Sequence, residues 1–462
     1  MIASLVVLLA TPSPTIGQAG EPIRVRSTDG LVAAVENAGA GDRIELAAGV
    51  YLLKGSLTLG SDVTLVGAGP GETILQNDPG WSPDTTDRPD NETRYDSADR
   101  TAYLFDIPWK TKNVTLEGMT LKSGTARGSL HGAVLAGRTE NLVLKNLAIG
   151  PFRWSGVRTF VCRGGSITRC TFTDAGGKMR VTKGSTGAAI FLTYAQDLEI
   201  AHNRFVTTDE HPANVFGIKG RGVKSSTVHH NTIRSNFAIE MPFENDQNVE
   251  IHHNYLGGVV SIPKHAGGMK MEESDLAFHI HHNYFTTSYS IEGPRNGVLI
   301  ESNVFDFDAQ SDGGNLISCF GRVAAPGPLI FQDNLVRNPG RGVLWSGPNY
   351  GRVTVRNNKI VGRKTATPRT EGLFGLGRGT DFSTVQFLNN EVELTGLDRP
   401  LVRGEEMFAA EFENNRLTGV SDAARTAGPQ TDAPVGPRTP LTFRLGAEEE
   451  FALDGFELSD VD

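Results

Sequence analysis

The sequence predicts an all-β fold, a parallel solenoid of about twelve coils in which one strand-and-turn pattern recurs. Three observations predict it: an asparagine-centred segment that repeats, apolar residues at every second place within each copy, and no long stretch of helical period between copies. Aligned on the asparagine, the copies read LEIAHNRF, STVHHNTI, VEIHHNYL, FHIHHNYF, VLIESNVF, LIFQDNLV, VTVRNNKI, VQFLNNEV and EFENNRL. Their anchors are Asn203, Asn231, Asn254, Asn283, Asn303, Asn334, Asn358, Asn390 and Asn415, with gaps of 28, 23, 29, 20, 31, 24, 32 and 25 residues. Upstream, VTLEGMTL, LVLKNLAI and SITRCTF fit the same template without the asparagine.

Each copy is justified as a strand by its period of two. In VEIHHNYL the alternation turns Val249, Ile251 and His253 inward and Glu250 and His252 outward, with Leu256 inward again past a bend. An asparagine at a fixed bend suits a residue tolerated in the left-handed region. Stacked coils put equivalent residues roughly 4.8 Å apart, so the asparagines are expected to form a ladder of side-chain amides. The histidines then fall into two rows. An inward row of His202, His230, His253 and His282 continues as Ser302, Asp333, Asn357, Asn389 and Asn414, and an outward row holds His229, His252 and His281. No carboxylate is expected in register with the outward row, so the reading is imidazole stacking and no metal is assigned.

Composition narrows the class. Gly 54, aromatic residues at 8% and charged residues at 21% describe a soluble, turn-rich chain. A net charge of -9 excludes a globally basic nucleic-acid binder. Cys162, Cys170 and Cys319 are too few for a disulfide framework and are read as buried thiols. The opening MIASLVVLLATPSPTIGQAG lacks a basic start but otherwise reads as a signal peptide over residues 1–19, too short for a membrane span, which implies a secreted or periplasmic protein. The solenoid is assigned to residues 20–417, and residues 418–462 to a Pro/Ala/Thr-rich linker and a C-terminal capping segment around LTFRLGAEEEFALDGFEL. The polar stretch from Asn77 to Arg100 is read as a long exposed loop.

GLVAAVENAGAGDRIELAAGVY, the following GSDVTLVGAGPGETILQ and the asparagine-centred coils together resemble the right-handed parallel β-helix (pectin-lyase-like) superfamily of carbohydrate-active proteins. The resemblance runs over roughly residues 24 to 417. It implies a single-stranded right-handed parallel β-helix, with DGLVAAVENA as the helix that caps the first coil and Thr28 or Asp29 as its N-cap. The superfamily's sharper signatures are not evident. There is no close aspartate pair followed by Arg-Ile-Lys, as in its polygalacturonases, and no Asp-Pro-His segment, as in its alginate epimerases. Lys219 and Arg295 only loosely echo the Lys-then-Arg arrangement of its lyases, being several coils apart.

Each coil carries a second strand upstream of the asparagine segment: GVRTF, AIFLTY, FGIK, FAIEM, VSIPK, YSIEG, LISCF and VLWSG. With Ile218, Ile239, Ile262 and Ile291 inward, one outward column is expected to read Arg158, Thr193, Lys219, Glu240, Pro263 with Lys264 beside it, Glu292, Ser318 and Ser346. Cations gather in the loops that leave these strands, namely Lys219, Arg221, Lys224, Lys264, His265, Lys270, Arg295 and Arg322, an edge suited to an anionic polysaccharide.

Three functions compete for this edge, and its cationic character favours the first over the second and third. The first is a lyase acting by β-elimination on a uronate polymer, with Lys219 as base, Arg295, Lys264 or His265 neutralising the carboxylate, and Tyr194 or His265 as proton donor. Arg158, Tyr194, Arg221, Lys224, Lys270 and Arg322 would bind substrate. The second is an inverting glycoside hydrolase using Glu240 and Glu292, two rungs and roughly 9.6 Å apart. The third is a non-catalytic glycan-binding solenoid in which Trp345, Tyr350, Phe216, Phe243 and Phe320 stack on sugars. No cofactor is assigned; Glu244, Asp246, Glu272, Glu273 and Asp275 offer oxygen ligands for Ca²⁺, although their spacing matches no calcium loop. A monomer is expected.

Overall fold

The computed structural model describes residues 21–81, 83, 100–124, 130–176, 187–208, 216–242, 246–262, 276–287, 289–293, 297–307, 315–319, 328–346, 352–363, 373–377, 381–395, 402–403 and 409–419. The proposed signal peptide, most of the Asn77–Arg100 loop and nearly all of the C-terminal segment lie outside them. Among the described residues the strands form two all-parallel systems, one of 27 strands and one of 13.

The shorter system is built by the upstream strands, among them Ser155–Phe160, Ala188–Thr193, Phe216–Arg221, Phe237–Glu240, Val259–Ser261, Ile291–Glu292, Asn315–Cys319 and Gly342–Ser346. Its inward column runs Val157, Ile190, Ile218, Ile239, Val260, Ile291, Ile317 and Leu344, each paired with the next. A matching column in the longer system runs Ile167, Ile200, Val228, Ile251, Ile280, Ile300, Phe331, Val355 and Phe387. Both columns belong to one continuous core. Each such side chain contributes about 1.5–3 kcal/mol by leaving water, and because every coil buries its apolar face only against its neighbours, the core is as long as the stack.

Ile262 is buried in the core as expected, but the residue in register with Ile239 and Ile291 is Val260. The pairing between Phe237–Glu240 and Val259–Ser261 shifts register between Phe237 and Ile239, a bulge that sequence alternation cannot reveal.

All nine anchor asparagines are buried, and the amide ladder is present. Asn254 shows the unit. Its backbone N–H and its Nδ2 both donate to Asn283 Oδ1, at 3.0 and 2.9 Å, and Nδ2 also donates to Val228 O at 2.8 Å and to His252 O at 2.9 Å. Each amide thus satisfies backbone groups that the turn between two strands would otherwise orphan. The left-handed residue, however, is the one before the asparagine. His202, His230, His253, His282, Ser302, Asp333, Asn357, Asn389 and Asn414 all have φ between 53° and 57°. That turn reverses the alternation, so His230, His253 and His282 are half-exposed and His202 exposed, contrary to the inward placement expected.

At the N-terminus a helix spans Thr28–Glu36 and buries Leu31 and Val35 in the same core. Its N-cap is Ser27, whose hydroxyl accepts from Gly30 N at 3.2 Å, rather than Thr28 or Asp29. The three cysteines are buried and form no disulfide, and burial pushes the Cys170 thiol up to about 12.

Candidate functional site

The outward column of the shorter system differs at three places from expectation. In register it reads Arg158, Phe191, Lys219, Glu240, Ser261, Glu292, Ser318 and Trp345. Phe191 takes the place expected for Thr193, Ser261 that of Pro263, and Trp345 that of Ser346. Arg158, Lys219, Glu240, Glu292 and Ser318 stand where the alternation put them.

The N-terminal part of this face is closed. Trp154, Ala188, Phe191 and Phe216 form a second apolar cluster on the outside of the sheet, with Phe237 against it. Arg158 is fully buried beneath it, its guanidinium 4.0 Å from the Phe160 ring centre and 3.8 Å from that of Phe191, with Nη1 donating to Thr193 Oγ1 at 2.8 Å. A guanidinium without exposed surface cannot meet a polymer, so Arg158 leaves the set of substrate ligands. Lys224 opens the Lys224–His229 strand of the other system, and the structure does not bring it into the column.

Lys219 is the transition from closed to polar. Only 5% exposed, its Nζ lies 5.0 Å from the Phe191 ring centre and 3.4 Å from Glu240 Oε2. Burial lowers its pKa, against the opposing pull of the Glu240 carboxylate. Two residues on, half-buried Arg221 has its own pKa lowered by burial while Glu240 and Asp246 act to raise it. Asp246, one of the calcium candidates, is buried and accepts from Val223 N at 2.6 Å.

Beyond Glu240 the floor alternates long acidic and short hydroxylated side chains: Glu240, Ser261, Glu292, Ser318. Glu292 is 8% exposed. Tyr289, a residue sequence reasoning passed over, hydrogen-bonds it, and burial together with the Glu292 charge raises the Tyr289 pKa. Trp345, 39% exposed, stands two rungs and roughly 9.6 Å past Glu292, and the column continues from it to Gly375 and Arg403. Tyr194 is 46% exposed in a left-handed turn at the strand edge beside Arg221, whose carbonyl accepts from Tyr194 N at 2.6 Å. Phe216 is buried, as core rather than platform. Lys264, His265, Lys270, Arg295, Arg322, Phe243, Phe320, Tyr350, Glu244, Glu272, Glu273 and Asp275 lie outside the described residues.

Residues 109–305 match the family described as "Right handed beta helix region". The fold of the chain is that of a right-handed parallel β-helix. A tailspike protein of E. coli bacteriophage HK620, solved in complex with a pentasaccharide, aligns with a TM-score of 0.51 at 13% identity over 85% of this chain and 74% of that one. This β-helix is also similar to a surface adhesin of Streptococcus pneumoniae (TM-score 0.49, 13% identity, 73% of this chain and 86% of that one). A family 28 exopolygalacturonase of Yersinia enterocolitica aligns with a TM-score of 0.41 at 13% identity, over 87% of this chain and 79% of that one. No curated protein matches the sequence. Among the described residues no helix is long and apolar enough to cross a membrane.

Proposed function

We propose that the face running from Lys219 to Trp345 binds a polysaccharide outside the cell and hydrolyses it with inversion. One observation carries this reading: Glu240 and Glu292 project from the same sheet face in register, on either side of Ser261. A separation of two rungs, roughly 9.6 Å between backbones, leaves room for a water beside the sugar, and flexible side chains bring the carboxyl groups into the range of about 6.5–9.5 Å that inversion uses. Their surroundings differ in the sense the chemistry needs. Glu240, held against the Lys219 ammonium, suits the base that takes a proton from the attacking water. Glu292, beside the Tyr289 hydroxyl, suits the acid that protonates the departing glycosidic oxygen. Trp345 offers a ring face for a sugar further along the column.

A second reading, β-elimination on a uronate polymer, draws on the lowered pKa of Lys219. It has less support, because the amine of that base is buried and ion-paired. One experiment separates the two: incubation with a panel of neutral and uronate polymers, following reducing ends and the ultraviolet absorbance of unsaturated uronate together. Hydrolysis predicts new reducing ends without absorbance, and a fall in kcat of at least about 10²-fold in Glu240→Gln and in Glu292→Gln, each still folded by circular dichroism at the assay temperature. Unsaturated product that disappears in Lys219→Ala would instead establish the lyase, and full hydrolytic activity in both glutamine variants would sink the assignment.

A further inference from the structure

The histidine rows contain something the sequence reading excluded. Carboxylates do stand with them: the outward column His229, His252, His281 continues in register to Glu301. Glu250 and His279 form the neighbouring column on the same face. The pairs bond diagonally, His281 Nε2 to Glu250 Oε1 at 2.8 Å and His279 Nε2 to Glu301 Oε1 at 2.8 Å, and the two imidazole rings approach to 4.1 Å between centres. One ligand atom from each of Glu250, His279 and His281 lies within 4.8 Å of the other two.

We propose that Glu250, His279 and His281 form a binding site for a zinc-class divalent cation, with Glu301 as fourth ligand or as the acceptor that orients His279. Zinc bonds of about 2.0–2.2 Å to nitrogen and oxygen in a tetrahedron put ligand atoms about 3.3–3.5 Å apart. Side-chain shifts of about an ångström therefore close the site, and all three residues are half-buried rather than locked in the core. Two imidazoles with one or two carboxylates suit zinc, and they exclude Ca²⁺, which takes oxygen alone. The carboxylates also supply negative charge to offset the ion.

The neighbouring ring completes the design. His281 Nδ1 lies 2.8 Å from His282 Nδ1. Without metal, the Glu250 carboxylate accepts from Nε2–H of His281, so in the neutral ring Nδ1 is bare and accepts from His282 Nδ1–H. When zinc takes the Nε2 lone pair of His281, the Nε2 proton leaves to solvent. The His282 Nδ1 proton passes to His281, and solvent reprotonates His282 at Nε2, so the neutral pair keeps its proton count. His281 then donates its other N–H to an acceptor, as metal-bound imidazoles do. The ion would tie together three consecutive coils, those of Glu250, His279 and Glu301. The other close-set trio, His202, His229 and His230, has charges of both signs near it, Arg169 and Glu199, and no carboxylate among its three ligands.

The test is calorimetric titration of the chelator-treated full chain with ZnCl₂, alongside thermal unfolding with and without zinc. The expected result is one saturable zinc per chain with a raised Tm, neither produced by CaCl₂. Glu250→Gln and His279→Gln should each abolish that binding, His282→Gln should weaken it roughly 10- to 100-fold, and His229→Gln should leave it unchanged. Glu250→Gln keeps shape and size at a partly exposed position, so its fold serves as the control if a histidine variant loosens the ladder. Absence of saturable binding overturns the proposal. So does binding that survives Glu250→Gln and His279→Gln but is lost in His229→Gln, which would move the ion to the other trio.

Discussion

The anchor asparagine is the residue on which each coil turns. Asn283 accepts at one oxygen from Asn254 N and Asn254 Nδ2, and its own Nδ2 donates to Ile251 O, His281 O and Asn303 Oδ1. Asn283→Ala therefore leaves at least two buried groups without partners, at about 1–3 kcal/mol each. The expected loss is about 2–4 kcal/mol, read as a lower denaturant midpoint with the slope unchanged, and a loss below the error of that measurement would show that the ladder is ornamental. The sequence showed this residue type and its spacing because a repeated requirement repeats its residue. It did not show that the preceding residue carries the left-handed turn. Histidine, serine, aspartate and asparagine all occur there, and all of them also fit an alternating strand.

At the scale of the strand, Lys219 and Glu240 form a largely buried ion pair in the candidate column. Removing one partner from a buried pair strands the other charge, whereas replacing both removes the need for either. Lys219→Met is thus expected to cost about 3–5 kcal/mol and the double variant Lys219→Met/Glu240→Gln much less, a coupling that a double-mutant cycle on urea unfolding measures directly. Equal losses in the single and double variants would mean that the pair is not coupled. Alternation alone placed Lys219, Glu240 and Glu292 on one face, because a period of two is a property of the strand. It misplaced the rung between them. The strand Val259–Ser261 begins after a register shift, and hydrogen bonding between coils, not local pattern, sets where a short strand starts.

The whole molecule carries a pH dependence through its stacked imidazoles. Burial, with neighbouring imidazoles, lowers His252 to about 3 and His253 to about 4, and burial lowers His202, His230, His281 and His282 in the same direction. The unfolded chain titrates its histidines near 6.5, so between that pH and the folded values the unfolded state binds more protons. Stability is then full above about 6.5 and falls as pH drops toward 4. Urea midpoints measured with a chelator present should decline progressively across that window. Replacing His252 and His253 together by Gln should flatten the decline, and an unchanged profile in that variant would place the acid sensitivity elsewhere. Because coils touch only their neighbours, the loss should begin around these rungs and spread.

By itself the sequence determined that the chain winds into a parallel coil, where its strands lie and which amides stack, because those features recur and each copy testifies for the others. It also determined that the glutamates of the candidate site share a face. Only the tertiary structure decided that Arg158 is sealed under an outer aromatic cluster, that Tyr289 reaches Glu292, and that Glu250, His279, His281 and Glu301 meet across three coils. Those contacts depend on diagonal reach and on what covers a face, and neither distance along the chain nor periodicity encodes them.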